Sequence, residues 1–267
     1  MDNRPIGLLD SGVGGLTVVK KVMQKMPRES TVFIGDNAHI PYGDKSQEEI
    51  IELTRQSVKF LLSKNVKLII FACNTATAAA MAAIQREVDQ PIIGVIQSGS
   101  LAAARITKNK HVAVVGTQVT AASHAYQQEI KLRDSKVKVT ELAAPKLVPL
   151  IEQDADYDTC LQAVKETLAP IQEQDFDTLI LGCTHYPIIR DEFRQVLDKR
   201  VQIVDPADQV AQYTYNVLKR EDMFNASDAP TRHEYYTTGD AAMVNELGRS
   251  ILGDPEFSAH HINEGEE

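Results

Sequence analysis

Two cysteines, Cys73 and Cys183, are the side chains of this sequence best suited to acid–base chemistry. Each follows a run of apolar residues and precedes small polar residues that are typical of a helix start. The partial positive charge at a helix N-terminus favours the thiolate, which is the form that accepts a proton. One cysteine can then act as a base while the other, still protonated, acts as an acid. We therefore predict that Cys73 and Cys183 flank one carbon centre and invert it by proton transfer.

A metal site and a redox pair are alternative uses of these thiols. Cys183 and His185 offer two metal ligands, but no Cys-x-x-Cys pair or second His cluster completes a set of four, and we predict no metal. A dithiol oxidoreductase would place the two sulfurs within bonding distance, which a thiol count before and after oxidation would reveal. The third cysteine, Cys160, lies in a segment of helical spacing and is interpreted as core packing.

The glycine-rich segment after Asp10 has a dinucleotide-binding fingerprint as its alternative interpretation. Gly12 and Gly14 match the first two glycines of G-x-G-x-x-G, but Thr17 stands at the third position. Asp36 lies close to where a ribose-binding acid would follow, so a nicotinamide-dependent dehydrogenase remains an alternative. The other use of the glycines is to let the backbone approach a small anionic ligand at the helix start.

Short apolar runs alternate with segments of helical spacing along the chain. Several runs are apolar at consecutive positions, which is typical of parallel strands that are covered on both faces. The alternation of strands and helices predicts an α/β fold. The predicted strands cover residues 6–9, 31–34, 68–71, 92–95, 112–115, 137–139, 179–181 and 201–204.

The order of these strands indicates an internal duplication. The third strand of each set of four ends in a cysteine motif, Ala72-Cys73-Asn74-Thr75 or Gly182-Cys183-Thr184-His185. We predict two similar lobes, each a mostly parallel sheet flanked by helices, with the active site in the cleft between them. The first lobe comprises residues 1–97 plus 208–267, and the second comprises residues 98–207. One continuous doubly wound sheet is the alternative.

Ligands of open α/β sheets bind beyond the carboxyl ends of the strands. The residues predicted at this edge are Asp10, Cys73, Thr117 and Cys183. Asp10 is a candidate to assist Cys73, because an acid at a strand end is costly to bury without a partner, and His185 is a candidate to assist Cys183. The loop of residues 36–43 follows the second strand and is predicted to cover the site.

Composition excludes several classes of function. The chain of 267 residues has a formal net charge of -9 and no basic stripe, so we predict no nucleic-acid partner. Its longest apolar runs are far below the roughly 18 residues of a spanning helix, and no secretory signal precedes the first strand, so we predict no membrane partner. An odd number of cysteines without close spacing indicates reduced thiols and a cytoplasmic location.

Ordered motifs over roughly residues 6 to 210 resemble the glutamate racemases, a cofactor-independent branch of the aspartate/glutamate racemase superfamily. The two cysteine motifs carry most of the specificity of this resemblance. The matching segments are Asp10-Ser11-Gly12-Val13-Gly14-Gly15, Gly35-Asp36, Pro41-Tyr42-Gly43, Ala72-Cys73-Asn74-Thr75-Ala76, Gly116-Thr117, Thr120, Ser123, Tyr126, Leu147-Val148-Pro149-Leu150-Ile151-Glu152 and Gly182-Cys183-Thr184-His185-Tyr186-Pro187.

The resemblance implies that glutamate binds between two α/β lobes and that Cys73 and Cys183 stand on opposite sides of its α-carbon. It also implies that Asp10 assists Cys73, and that His185 and Glu152 assist Cys183. The residues it implies for holding the substrate's amino and carboxylate groups are Asp10, Ser11, Tyr42, Gly43, Asn74, Thr75, Thr117, Thr120, Thr184 and His185.

The resemblance further implies a homodimer that needs no cofactor and makes D-glutamate for peptidoglycan. Two alternatives share its fold. A non-catalytic protein would bind glutamate without racemising it, and an aspartate racemase would differ in the length of its pocket, which the spacing of motifs does not reveal.

Overall fold

Parallel strands organise the computed structural model, which describes residues 1–262. Each predicted strand is present within a few residues of its predicted bounds, and the structure adds β9 and β10. The strands are β1 (Ile6–Asp10), β2 (Thr31–Gly35), β3 (Leu68–Phe71), β4 (Ile92–Gly94), β5 (His111–Gly116), β6 (Lys138–Ala143), β7 (Thr178–Gly182), β8 (Gln202–Val204), β9 (His233–Thr237) and β10 (His260–His261).

These strands form two sheets within residues 1–262. One has the order β10-β9-β2-β1-β3-β4 and the other the order β6-β5-β7-β8. Every pairing is parallel; in β1, for example, Leu8 lies opposite Phe33 of β2 and Ile70 of β3. The predicted α/β fold with two mostly parallel sheets is confirmed, and the alternative of one continuous sheet is wrong.

Helices cover the faces of both sheets. Short 3₁₀-helices span Val13–Gly15, Asn37–His39, Tyr42–Asp44, Ala169–Ile171 and Tyr186–Ile189. The α-helices are α1 (Leu16–Lys25), α2 (Gln47–Ser63), α3 (Asn74–Ala79), α4 (Met81–Ile84), α5 (Val95–Ile106), α6 (Gln118–Ser123), α7 (Ala125–Arg133), α8 (Leu147–Glu152), α9 (Tyr157–Leu168), α10 (Arg190–Val196), α11 (Pro206–Arg220) and α12 (Ala241–Leu252). Within residues 1–262, no helix has the length and apolar character needed to cross a membrane.

The consecutive apolar runs are buried on both faces, as the pattern predicted. Every residue of β1, β2, β3, β5 and β7 is buried. β6 is different, since its side chains are exposed or half-buried and it lies at the edge of its sheet. Four of these fully covered strands, β1, β3, β5 and β7, end at the candidate active site, so the site has a rigid base.

Both predicted lobe boundaries fall within helices. The 97/98 boundary lies in α5 and the 207/208 boundary lies in α11, and these two helices pack against each other. The division of the chain at these residues therefore stays a prediction, although the C-terminal strands β9 and β10 do extend the first sheet.

A buried ion pair joins distant segments at the amino ends of the first sheet's strands. Lys67 Nζ lies 2.5 Å from Glu29 Oε2 and also donates to the carbonyl oxygens of Asp2 and Met223. The Lys67 side chain is 0% exposed and that of Glu29 is 2% exposed. Glu29 Oε1 in turn accepts a hydrogen bond from Asn225 N. The pair thus ties the N-terminus, β3 and the segment after α11 together.

We predict that Lys67→Met and Glu29→Gln each lower the free energy of unfolding by about 3–5 kcal/mol, because each leaves its partner buried without a counter-charge. The double variant should cost less than the sum of the two, because neither ion then remains. Urea unfolding measures all three. Lys146→Met, which breaks an exposed pair with Glu166, is the control and should cost less than about 1 kcal/mol. A similarly small cost for Lys67→Met would contradict this account.

Candidate active site

Strand ends from both sheets enclose one small cavity of about 20 Å³. β1, β3, β5 and β7 each end next to it, as expected for parallel strands whose carboxyl ends share an edge. Both cysteines face it, Cys73 with 4% and Cys183 with 7% of its surface exposed. The lining residues are Ser11, Ile40, Pro41, Tyr42, Gly43, Cys73, Asn74, Thr75, Thr117, Val148, Cys183, Thr184 and His185.

Cys73 caps the N-terminus of α3 with its sulfur. Its Sγ accepts a hydrogen bond from Ala76 N at 3.3 Å and lies 3.5 Å from Ser11 Oγ. Burial raises the pKa of the Cys73 thiol to about 12, and the charges of Asp10 and Cys183 add to this. The hydrogen bonds that Cys73 makes with Ala76 N and Ser11 Oγ lower this pKa but are outweighed. At Cys73 burial therefore outweighs the thiolate-favouring effect of the helix start and favours the neutral thiol.

The side chains of His185 and Glu152, and not a helix start, support the sulfur of Cys183. The strand before it ends at Gly182, and the 3₁₀-helix Tyr186–Ile189 follows. The sulfur of Cys183 lies 3.7 Å from His185 Nδ1. His185 Nε2 lies 2.5 Å from Glu152 Oε1 at the end of α8. Burial lowers the pKa of His185, but the contacts with Cys183 and Glu152 outweigh it and raise that pKa well above its usual value. These contacts therefore favour the imidazolium form of His185 beside the Cys183 sulfur.

Asp10 lies at the junction of the two sheets. Its Oδ2 accepts hydrogen bonds from Gly12 N and Gly15 N at 3.1 and 3.0 Å, and the Thr184 hydroxyl donates to its Oδ1 at 3.3 Å. Burial raises the pKa of Asp10 to about 6, although the charge of His185 and these hydrogen bonds oppose the rise. The group is therefore balanced between acid and carboxylate just below neutral pH.

A cluster of threonines joins the two sheets on the other side of the cavity. Thr75 Oγ1 at the start of α3 lies 2.9 Å from Thr117 Oγ1, which caps α6. Thr120 lies within 3.0 Å of Thr117 and 3.3 Å of Thr75. These hydroxyls can each donate and accept, so they can reorient to bind a polar ligand.

The loop from Asp36 to Gly43 forms a wall of the cavity. The Tyr42 hydroxyl donates to Asp36 Oδ2 at 2.6 Å, and the Thr238 hydroxyl donates to Asp36 Oδ1 at 2.6 Å. Gly43 lies against the second sheet, since a Cβ there would be 2.8 Å from Thr117 Cβ. The hydrogen bonds of the Asp36 carboxylate thus hold the loop in place. Only a glycine fits at position 43, where the loop contacts Thr117.

The structure brings the predicted site residues together. Those outside the lining are Asp10, Glu152 and Thr120, and each of these hydrogen-bonds to a lining residue. All three cysteines are free, including the buried Cys160. Within residues 1–262 no group of three or more His, Cys, Asp or Glu side chains has an arrangement that could hold a metal ion. The dinucleotide alternative would use Asp36 for a ribose, whereas its carboxylate is bonded to Tyr42 and Thr238.

Sequence reasoning missed two groups of supporting residues. Tyr126, fully buried, donates its hydroxyl to Asn74 Oδ1 at 2.6 Å. Tyr126 stood among the matching motifs but was given no role. Thr237 and Thr238 follow the tail strand β9 and bond to Asn37 and Asp36 under the loop. Nothing in the local sequence of the tail signals these contacts, which span about 200 residues of chain.

Comparisons with known proteins agree with this geometry. A family model described as Asp/Glu/Hydantoin racemase matches residues 6–214. The chain is 66% identical over 263 residues to a glutamate racemase of Lactobacillus helveticus, covering 98% of each chain. It is 38% identical over 261 residues to a glutamate racemase of Bacillus cereus, covering 97% of each.

Solved structures show the same fold over the whole chain. A glutamate racemase isoform of Bacillus anthracis superposes with a TM-score of 0.93 at 35% identity, covering 98% of each chain. A glutamate racemase of Francisella tularensis, solved in complex with D-glutamate, superposes with a TM-score of 0.92 at 32% identity, covering 100% of each. This chain therefore belongs to the Asp/Glu/hydantoin racemase family and, within it, to the glutamate racemases.

Proposed function

We propose that this isomerase interconverts L-glutamate and D-glutamate by a two-base mechanism in which Cys73 and Cys183 act from opposite faces of the α-carbon. The observation that carries the proposal is that both thiols line one buried cavity between the two sheets. The relatives described above support glutamate as the substrate. D-glutamate made in this way would supply peptidoglycan synthesis.

Two bases solve the stereochemical problem of racemisation. The α-proton of an amino acid is weakly acidic, because the carbanion forms beside a carboxylate. A thiolate on one face removes this proton, and the thiol on the opposite face delivers another from behind, so the centre inverts. Hydrogen-bond donors around the cavity, including the Thr75, Thr117 and Thr184 hydroxyls, would stabilise charge that develops on the carboxylate.

The two thiols have different supporting groups. The His185 imidazolium, held by Glu152, stabilises the Cys183 thiolate by its charge. Cys73 has Ser11 and the Ala76 amide at its sulfur and Asp10 nearby. The substrate's ammonium group would bring positive charge next to Asp10 and Cys73, which lowers the pKa of both groups. Binding of the substrate would thus prepare Cys73 to act as a base.

The cavity also implies motion. Its volume of about 20 Å³ holds little more than one water molecule, which needs roughly 10–15 Å³. Glutamate therefore enters only when the sheets or the Asp36–Gly43 loop separate, and closure afterwards excludes water and brings the thiols to the α-carbon.

Pocket length decides between glutamate and aspartate as substrates. An aspartate racemase of Picrophilus torridus, at 16% identity, shares the fold alone.

Replacing either cysteine should remove most of the activity. We expect Cys73→Ser and Cys183→Ser each to lower kcat by at least about 10²–10⁴-fold, the usual share of a general acid or base, because a serine hydroxyl is a far weaker acid than a thiol. A circular-dichroism assay on L- and D-glutamate measures this. The matched control is Cys160→Ser, since Cys160 lies outside the cavity, and it should stay within twofold of the wild type. Near-normal turnover by either active-site variant would falsify the two-base mechanism.

Solvent hydrogen should appear at the α-carbon of the product. When L-glutamate is racemised in deuterated water, we expect D-glutamate to carry deuterium at Cα, because the thiol that delivers the proton has exchanged with solvent. Proton NMR or mass spectrometry of the separated enantiomers measures the label. Unlabelled D-glutamate early in the reaction would mean that the same proton is returned, which contradicts two separate bases.

Removing the Glu152 charge should make the enzyme lose activity at a lower pH as the solution becomes alkaline. The imidazolium of His185 is present below its pKa and is lost as pH rises through it. Because the Glu152 carboxylate raises that pKa, Glu152→Gln should shift the alkaline limb of the kcat/KM profile to lower pH. The control is Glu166→Gln, an exposed acid on α9. An alkaline limb that is unchanged in Glu152→Gln, or shifted equally in the control, would count against the imidazolium.

A further inference from the structure

A second, inner cavity lies behind Cys183. Its volume is about 10 Å³, close to the roughly 10–15 Å³ that one water molecule needs. Asn74, Cys183 and Thr184 line both this inner cavity and the active-site cavity. These residues therefore form the partition between the two spaces, and Cys183 can contact a water molecule on the side away from the substrate.

The opposite wall of the inner cavity borders a groove on the protein surface. Thr17 and Asp205 line both the inner cavity and this groove, which has a volume of about 490 Å³. The Thr17 hydroxyl donates to Gly14 O at 2.9 Å and lies 3.2 Å from Thr184 O, so it also connects the wall to the residue after Cys183. The inner cavity therefore lies between the surface groove and the active-site cavity, and it shares lining residues with each of them.

The carboxylate of Asp205 is suited to pass protons between the inner cavity and the surface groove. Its Oδ1 caps α11 by accepting a hydrogen bond from Ala207 N at 2.9 Å. Within residues 1–262, Oδ2 has no hydrogen-bond partner and is available to water. Burial raises the pKa of Asp205, with Asp208 adding to it, and the Ala207 amide together with Lys21 and Arg190 opposes the rise. A carboxyl shifted toward neutrality takes up and releases protons more readily at neutral pH.

A two-base racemase needs such a route. Conversion of L- to D-glutamate leaves the first base protonated and the second deprotonated, the reverse of the starting state. Before another molecule of L-glutamate can react, each thiol must exchange a proton with solvent. The closed active-site cavity gives little room for water to do this.

We propose that Asp205 resets the protonation state of Cys183 between turnovers, through one water molecule in the inner cavity; this inference rests on the proposed two-cysteine mechanism. The Cys183 thiol releases its proton to that water, which passes one proton to Asp205 Oδ2. The acid then gives a proton to water in the groove. The net change is a thiolate in the site and one proton in solvent, and the reverse sequence restores the thiol. Asp205 does not contact the substrate in this proposal and acts only through the water molecule and Cys183.

Asp205→Asn tests the proposal, because asparagine caps a helix as well as aspartate does but does not carry a proton. At saturating substrate every cycle includes the reset step, whereas at low substrate the reset is complete before the next molecule arrives. We expect kcat to fall at least fivefold while kcat/KM stays within twofold, a division that a merely structural defect would not produce. Initial rates in both directions and thermal unfolding are measured together.

Two further variants keep the test decisive. Glu166→Gln, an exposed acid on α9 outside the groove, should leave kcat unchanged, whereas Thr17→Val, which removes a hydroxyl from the wall of the inner cavity, should lower kcat in the same sense as Asp205→Asn. An unchanged kcat in Asp205→Asn would overturn the proposal, and so would a proportional loss of kcat and kcat/KM. A wild-type enzyme that does not racemise glutamate, or an active Cys183→Ser, would instead overturn the proposed function.

Discussion

Removal of water from a few ionisable side chains is the constraint on which this site depends. Cys73, Cys183 and His185 line a space with room for about one water molecule, and the buried Asp10 is hydrogen-bonded to Thr184 in its wall. A charge in such a place is costly unless it is paired or hydrogen-bonded, so each acid or base needs its own partners. Backbone amides of the Gly12–Gly15 turn bind Asp10, and Glu152 binds His185. The Gly12–Gly15 turn and the end of α8, which carry these partners, are thereby held at fixed positions.

The two faces of the site are chemically unequal although the proposed reaction is symmetric. L- and D-glutamate have equal free energy in water, so the equilibrium constant is one whatever the enzyme does. Near Cys183 the fixed charge is an imidazolium, whereas near Cys73 it is the Asp10 carboxyl with a pKa of about 6. This difference gives the two thiols unequal electrostatic surroundings in the free enzyme. It can therefore make kcat and KM differ between the two directions. The value of kcat/KM must nevertheless be the same for L- and D-glutamate, because the equilibrium constant is one.

Local sequence was enough to predict the two sheets and the polar residues at the carboxyl ends of their strands, whereas the other candidate site residues came from the resemblance to the glutamate racemases. Consecutive apolar residues marked the buried strands, and the chemistry-bearing residues Asp10, Cys73, Thr117 and Cys183 lie at the carboxyl ends of β1, β3, β5 and β7. β9 was missed because its sequence, His233-Glu234-Tyr235-Tyr236-Thr237, has neither a continuous apolar run nor a flanking motif. The bond between Tyr126 and Asn74 joins residues 52 positions apart and leaves no local pattern. The helix start at Cys73 could be predicted from local sequence, but the burial that raises the pKa of its thiol could not, because the extent of burial is a tertiary property.

The contacts that join the two sheets differ in kind from those that hold the Asp36–Gly43 loop. Between the sheets lie mainly neutral hydrogen bonds, such as Thr75 to Thr117 and Tyr126 to Asn74, each worth about 0.5–1.5 kcal/mol net. The bond from Thr184 to Asp10 involves a carboxyl but is long, at 3.3 Å. Within the loop, short bonds at 2.6 Å run from Tyr42 and Thr238 to the Asp36 carboxylate, and bonds to charged groups are roughly twice as strong. Opening for the substrate should therefore separate the sheets along the threonine contacts while the loop stays with the first sheet, because that path breaks the weaker bonds.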